Sequence, residues 1–242
     1  MLRAIRDLPF ALIAVALAAC GGDSSGPGPG YGCLGLPLPT TAPALVNVSG
    51  QVRAGALNPN ALAGAEVFAF RTGDTTTLAA DTSNTPGFYA LGITTGGTPV
   101  DGYVRLTHSG QITTYAYPSR PLAADLVTNV LMITTSEFGV LGTIVQVSPE
   151  AGKGFIGVIV KDCNGAAIAG ATVTTIPAGT VRYNSGSAPS SSATSTSNDG
   201  VAYVFNVTAG NVTVQANGGG HTLFQHVVNA RADVVTLTEI QP

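Results

Sequence analysis

Three histidines, His108, His221 and His226, are the first residues to test for chemistry. On a single strand His221 and His226 would project from opposite faces, because their spacing is odd. Only a turn between them would let them share a metal. Neither Cys33 nor Cys163 has a second Cys or His at zinc-ligand spacing. The carboxylates are dispersed, with no Asp-x-Asp-x-Asp run for calcium. Serine is plentiful, yet no Gly-x-Ser-x-Gly elbow occurs. Gly152-Lys153-Gly154 lacks the following Ser or Thr and the upstream Gly of a phosphate loop, and Gly218-Gly219-Gly220 reads as a connector between strands. These residues predict no metal, no cofactor and no catalytic set, so the chain does not read as an enzyme. Tyr115 and Tyr117 stand out instead. Two positions apart on a strand, they share a face on which two rings could stack against sugars. The plainer alternative is that they pack under a neighbouring loop: Pro118 follows at once, and the chain has no Trp.

The elements that must carry these residues read as strands. From Leu45 the sequence is β-branched alternation bounded by Gly, Asn and Asp. Val46, Val48 and Val52 alternate, as do Val67 with Ala69 and Phe68 with Phe70 on the opposite face. Further strands are expected at Phe88–Leu91, Tyr103–Thr107 and Ile112–Tyr117. A second block repeats the plan. It has a strand at Phe155–Val160, an Asp162-Cys163-Asn164-Gly165 turn, and Gly170-Ala171-Thr172-Val173 matching Gly64-Ala65-Glu66-Val67. Asp199-Gly200-Val201-Ala202-Tyr203 then matches Pro86-Gly87-Phe88-Tyr89-Ala90. The Ser/Thr-rich insertion around Ser185–Ser197 is expected to be an exposed loop. Strands near Val212–Ala216, Leu223–Val228 and Val234–Leu237 close the block. Between the blocks, Phe138, Leu141, Ile144 and Val145 fall at helical spacing after Ser136 and Glu137, which predicts one short helix. A strand over Leu141–Val147 is its rival. Phe68, Phe70, Phe88, Tyr203 and Phe205 are expected in the core.

At the N-terminus, Arg3 and Arg6 precede an apolar run, Leu8 to Ala19, too short to span a bilayer but suited to a signal-peptide core. Leu17-Ala18-Ala19-Cys20 resembles the lipobox of bacterial lipoproteins. The resemblance implies cleavage before Cys20, diacylation of Cys20 and a membrane as its partner through that lipid. A plain secretory signal with a chance Cys is the alternative. Gly21 and Gly22, rather than Asp, follow the lipidated position, which by the same resemblance implies the outer membrane of the cell envelope. Removing residues 1–19 takes out Arg3, Arg6 and Asp7, leaving eight basic and twelve acidic side chains, net −4. Nucleic acid and anionic lipid are not the expected partners of such a surface. With Cys20 acylated, Cys33 and Cys163 form an even remainder in an exported chain, which suggests a disulfide, two free thiols being the alternative. Residues 21–32, rich in Gly, Pro and Ser, read as a flexible spacer.

Each block carries the run Ala-Gly-Ala-x-Val followed by a turn ending in Gly and an aromatic-bearing strand. This pattern resembles carboxypeptidase regulatory-like domains, small β-sandwiches of transthyretin-like (prealbumin-like) topology. The second block matches it well; the first departs, with Pro86 where the family has Asp or Asn before Gly87. The resemblance implies an all-β protein of two tandem small sandwiches of prealbumin-like or Ig-like type. Its expected parts are a signal peptide (1–19), a lipidated Cys and tether (20–43), a first sandwich (44–118), a connecting segment with one short helix (119–152) and a second sandwich (153–242). The motifs speak for fold far more than for activity. The expected function is a non-catalytic envelope lipoprotein with a structural or interaction role, carbohydrate binding being the alternative and a metal-dependent enzyme the least favoured. A polysaccharide or an envelope protein is the expected partner.

Overall fold

The computed structural model describes residues 28–56 and 58–242. The expected signal peptide, Cys20 and the first part of the expected tether lie outside the described residues. Seven strands form the first block: β1 (Leu45–Ala54), β2 (Asn60–Ala61), β3 (Glu66–Arg71), β4 (Thr77–Thr82), β5 (Phe88–Thr94), β6 (Gly102–Thr107) and β7 (Thr114–Tyr117). The segment read as a connector then adds β8 (Leu126–Val127), β9 (Val130–Met132) and α1 (Thr135–Ile144). The second block holds β10 (Lys153–Val160), β11 (Thr172–Ile176), β12 (Thr180–Ser185), β13 (Ala188–Ser190), β14 (Val201–Thr208), β15 (Gly210–Gly218), β16 (His221–Thr222), β17 (His226–Ala230) and β18 (Val235–Ile240). The protein is all-β, built of sandwiches, with one helix among the described residues.

Besides the segment that connects them, the two sandwiches share a sheet. One nine-stranded sheet, ordered β13-β12-β14-β10-β18-β7-β6-β3-β4, runs through both blocks. Its seam is the parallel pair β7–β18, Val235 opposite Thr114 through Thr238 opposite Tyr117. A five-stranded sheet (β1, β2, β5, β8, β9) and a four-stranded sheet (β11, β15, β16, β17) complete the two sandwiches. Side-chain alternation shows that they lie on opposite faces of the shared sheet. Val67, Ala69, Val104 and Leu106 belong to one core with Val46, Val48, Val52 and Leu91 of the five-stranded sheet. Ile156, Val158, Val160 and Tyr117 belong to another, with Val212, Val214 and Val228 of the four-stranded sheet. Most of these side chains are inaccessible to solvent, each such burial contributing about 1.5–3 kcal/mol.

The expected helix is present and begins earlier than its spacing suggests. Thr134 is the N-cap: its Oγ1 accepts from Glu137 N at 3.1 Å, and Glu137 Oε2 accepts from Thr134 N at 2.8 Å. This reciprocal box satisfies two otherwise orphaned donors. Leu141 and Val145 then pack with Phe155, Phe205 and Val235 in a third core.

Four local expectations are corrected. Phe88 is 52% exposed, because the β5 alternation buries Tyr89, Leu91 and Ile93 instead; Phe68 and Tyr203 are only half-buried. The Ser/Thr-rich insertion is not wholly an exposed loop, since β13 pairs with β12 and Thr196 is buried to satisfy main-chain groups. Of the strand expected near Leu223–Val228 only the end forms: residues 223–225 are irregular and separate β16 from β17, both of which pair with β15. The spacer is docked by its last residues, before its expected end: Tyr31 stacks at 4.7 Å on His221 and Cys163 N donates to Gly30 O at 2.8 Å. A disulfide joins Cys33 to Cys163 across 130 residues, with Cα atoms 5.7 Å apart.

Candidate functional site at the seam

Where the two sandwiches meet, the face of β3, β6 and β7 turned away from the five-stranded sheet carries a row of rings and guanidinium groups. Strand register sets the row. Phe68 stands opposite Arg105, which stands opposite Tyr115; Phe70 stands opposite Tyr103. Tyr103 is the hub, with ring centroids 5.4 Å from Phe70, 5.6 Å from Tyr115 and 5.1 Å from Tyr117. The Arg105 guanidinium carbon lies 4.9 Å from the Phe68 centroid and 5.1 Å from that of Phe70. Arg231, in the turn between β17 and β18, reaches over from the second sandwich. Its guanidinium carbon is 3.8 Å from the Tyr115 centroid and 5.0 Å from that of Tyr103. Its Nη1 donates to Tyr117 OH at 3.1 Å and to Asn229 O at 2.9 Å.

Tyr115 and Tyr117 therefore share a face, as their spacing requires, but they do not form an open two-ring platform. Tyr117 is 3% exposed and belongs to the second core; burial raises its phenol pKa, an effect the Arg231 hydrogen bond opposes. Tyr115 remains half-buried beneath Arg231. The cause is the β7–β18 pairing, which puts the second sandwich over Tyr117.

The opposite face of the shared sheet, in the second block, forms a groove of about 700 Å³. Its floor includes Ile159, Val201, Tyr203 and Leu237, and Val140 and Ile144 of α1 line it as well. A polar chain runs along one side. Tyr203 OH donates to Asn184 Oδ1 at 2.8 Å, and Asn184 Nδ2 donates to Asp199 Oδ2 at 2.6 Å. Burial pushes the Tyr203 phenol up to about 12. A mostly apolar groove with a few fixed polar groups is suited to binding.

Two of the histidines have aromatic or hydroxyl neighbours. His221 stacks on Tyr31. His226 Nδ1 lies 2.7 Å from Thr238 Oγ1 and its ring is edge-on to Tyr117 at 6.2 Å. Burial lowers the His226 pKa, with Asp101 opposing. Among the described residues no three His, Cys, Asp or Glu side chains gather to hold a metal. Sequence reasoning missed Tyr103, Arg105 and Arg231. The alternation Tyr103-x-Arg105 on a strand that forms a hairpin with Tyr115 was a usable signal for the first two. Arg231 gives none, because only the distant β7–β18 pairing brings it to the rings.

These sheets place the chain among all-β sandwich proteins. No family model matches it, and no curated protein matches it. Among solved structures it is similar to the Bacillus anthracis TIE protein, with 11% identity over 80% of this chain and 33% of that one, at a TM-score of 0.27. It is also similar to the shaft pilin SpaA from Lactobacillus rhamnosus GG, with 10% identity over 82% of this chain and 98% of that one, TM-score 0.26. GBS52, the minor pilin of Streptococcus agalactiae, gives 10% identity over 81% and 95%, TM-score 0.26. The chain spans a third of the TIE protein chain that it matches. Likeness of this size carries no functional argument.

Proposed function

We propose that this protein is a lipid-anchored envelope protein with a non-catalytic structural or interaction role, held to the membrane through Cys20 and facing its partners with the fused double sandwich. The Cys33–Cys163 disulfide carries this reading. Disulfides persist where proteins are exported, and this one ties the chain just beyond the lipobox to a turn of the second sandwich. A body clamped at the root of its tether suits display from a surface. Two or three acyl chains, at about 0.8 kcal/mol per buried methylene, hold such a body durably. Gly21 and Gly22 support placement at the outer membrane.

The test is metabolic labelling with an alkyne fatty acid in a diderm bacterial host, comparing the wild type with Cys20→Ala. The expected result is labelled protein in the outer-membrane fraction, with the variant unlabelled and released from membranes. Unlabelled wild type would overturn the anchor, and label confined to the inner membrane would overturn the placement.

A further inference from the structure

We propose that the Arg105–Arg231 face of the seam binds a carboxylate-bearing polysaccharide, its uronate groups pairing with the two guanidiniums and its sugar rings lying against the exposed parts of Tyr103 and Phe68. This goes beyond the envelope reading and does not depend on how the protein is anchored.

Arg105 is the observation that carries it. Its guanidinium lies near two phenylalanine rings, yet it makes no hydrogen bond to the described residues, and its Nε is buried without a partner. Arg53, Arg120 and Arg182 each donate to a main-chain carbonyl; Arg105 does not. A buried donor left unpaired is costly, and the Nη groups of the same guanidinium, which are not among the buried unpaired atoms, are the ones an incoming carboxylate would meet. Arg231 spends Nη1 on Tyr117 and Asn229 and has Nε and Nη2 to offer. Neither arginine has a carboxylate partner, for the only ion pair among the described residues joins Lys161 to Glu239. Glu66, on the same face of β3, is occupied by Thr107 Oγ1 at 3.0 Å.

The geometry selects the ligand's chemistry. A ring face fixes a guanidinium in orientation while leaving its planar fork free for a carboxylate. Half-buried rings beside each guanidinium offer apolar surface at the same place. A uronate has that combination, an apolar sugar face next to a carboxylate. An acidic peptide brings the carboxylate on a flexible methylene stem and nothing to lay on the rings. Tyr115 is covered by Arg231, so the exposed parts of the half-buried Tyr103 and Phe68, rather than the tyrosine pair 115/117, supply the apolar surface beside the guanidiniums.

The experiment is affinity electrophoresis of the detergent-solubilised protein through gels containing polygalacturonate, neutral dextran or polyglutamate. Wild type, Arg105→Gln, Arg231→Gln, the double variant and the control Arg53→Gln are compared, with thermal melting to confirm folding. The expected result is retardation by polygalacturonate alone, weakened about tenfold in each single variant, abolished in the double and unchanged in the control. If Arg105→Gln fails to fold, Arg105→Lys, which keeps charge but not the fork, is expected to show the same weakening. No retardation of wild type, retardation that survives in the folded double variant, or equal retardation by polyglutamate would each overturn the proposal.

Discussion

In the first sandwich Ser83 Oγ accepts from Ala65 N at 2.9 Å and donates to Leu62 O at 2.7 Å. In the second, Thr196 Oγ1 accepts from Ala171 N at 2.9 Å and donates to Ile168 O at 2.7 Å. Around each hydroxyl the main chain repeats the same bonds. Gly64 N donates to Ser83 O and Gly170 N to Thr196 O; Val52 N donates to Gly87 O and Val160 N to Gly200 O. Gly87 and Gly200 both have positive φ, and a Cβ on either would fall 2.7 or 2.5 Å from the carbonyl it faces, so no other residue fits. This node is written into each block locally, by Ala-Gly-Ala and by the turn glycine. The strands around it are not so fixed. β4 returns from β3 as a hairpin and stays in its sheet, whereas β12 crosses to pair with β14. Pro177 follows the end of β11 and cannot donate to a ladder. A Cβ on Gly179 would lie 2.7 Å from Phe205 O and 2.6 Å from Val204 Cγ1, so a glycine is what lets the chain land on β14.

The last strand differs as well. β18 is continuous and paired on both sides, by β10 and by β7. Its counterpart in the first sandwich is split into β8 and β9, which pair only with β1 among the described residues. Side chains replace part of the ladder there: Asp125 Oδ1 accepts from Asn47 N and Asn129 Oδ1 from Gln51 N. Val127 is left 76% exposed on that edge. The same repeat thus makes one edge that fuses two sandwiches and one that stays open.

The node is the place to break the likeness. Gly200→Ala and Gly87→Ala should each destabilise by about 2–5 kcal/mol, from positive-φ strain plus overpacking, in chemical denaturation; a much smaller loss in one would mean the nodes are not equivalent. Removing the disulfide that only the second sandwich holds, by Cys33→Ser with Cys163→Ser, should cost about 2–4 kcal/mol in the same assay. Thr196→Val and Ser83→Ala should cost about 1–3 kcal/mol each by unpairing a buried amide and carbonyl. The smallest effect is on pH dependence. His226 resists protonation when folded, so below its ordinary pKa of 6.5 the unfolded chain binds the extra proton and stability falls with pH. His226→Gln should flatten the stability profile between neutral pH and pH 5.

The sequence made legible what local rules control. Turn glycines, most strand positions, the helix and the Cys33–Cys163 pairing all follow from short spacings or from counting. What was hidden is the seam. β7 and β18 are separated by more than half the described chain and joined in parallel, so no turn residue announces the pair. Every consequence of the seam was equally hidden, including the burial of Tyr117 and the placing of Arg231 over Tyr115. Phe88 misled for a different reason: the glycine before it marks the strand start but not which face comes first.

Hydrogen exchange followed by mass spectrometry at rising denaturant tests the fused sheet most directly. In a fused sheet the amides of residues 114–117 and 235–238 exchange together, in the same slow class as β10 and β14, with one cooperative unfolding step for both sandwiches. Early exchange at those two strands while β1–β5 and β10–β14 stay protected would contradict it, and would mean two sandwiches that merely touch.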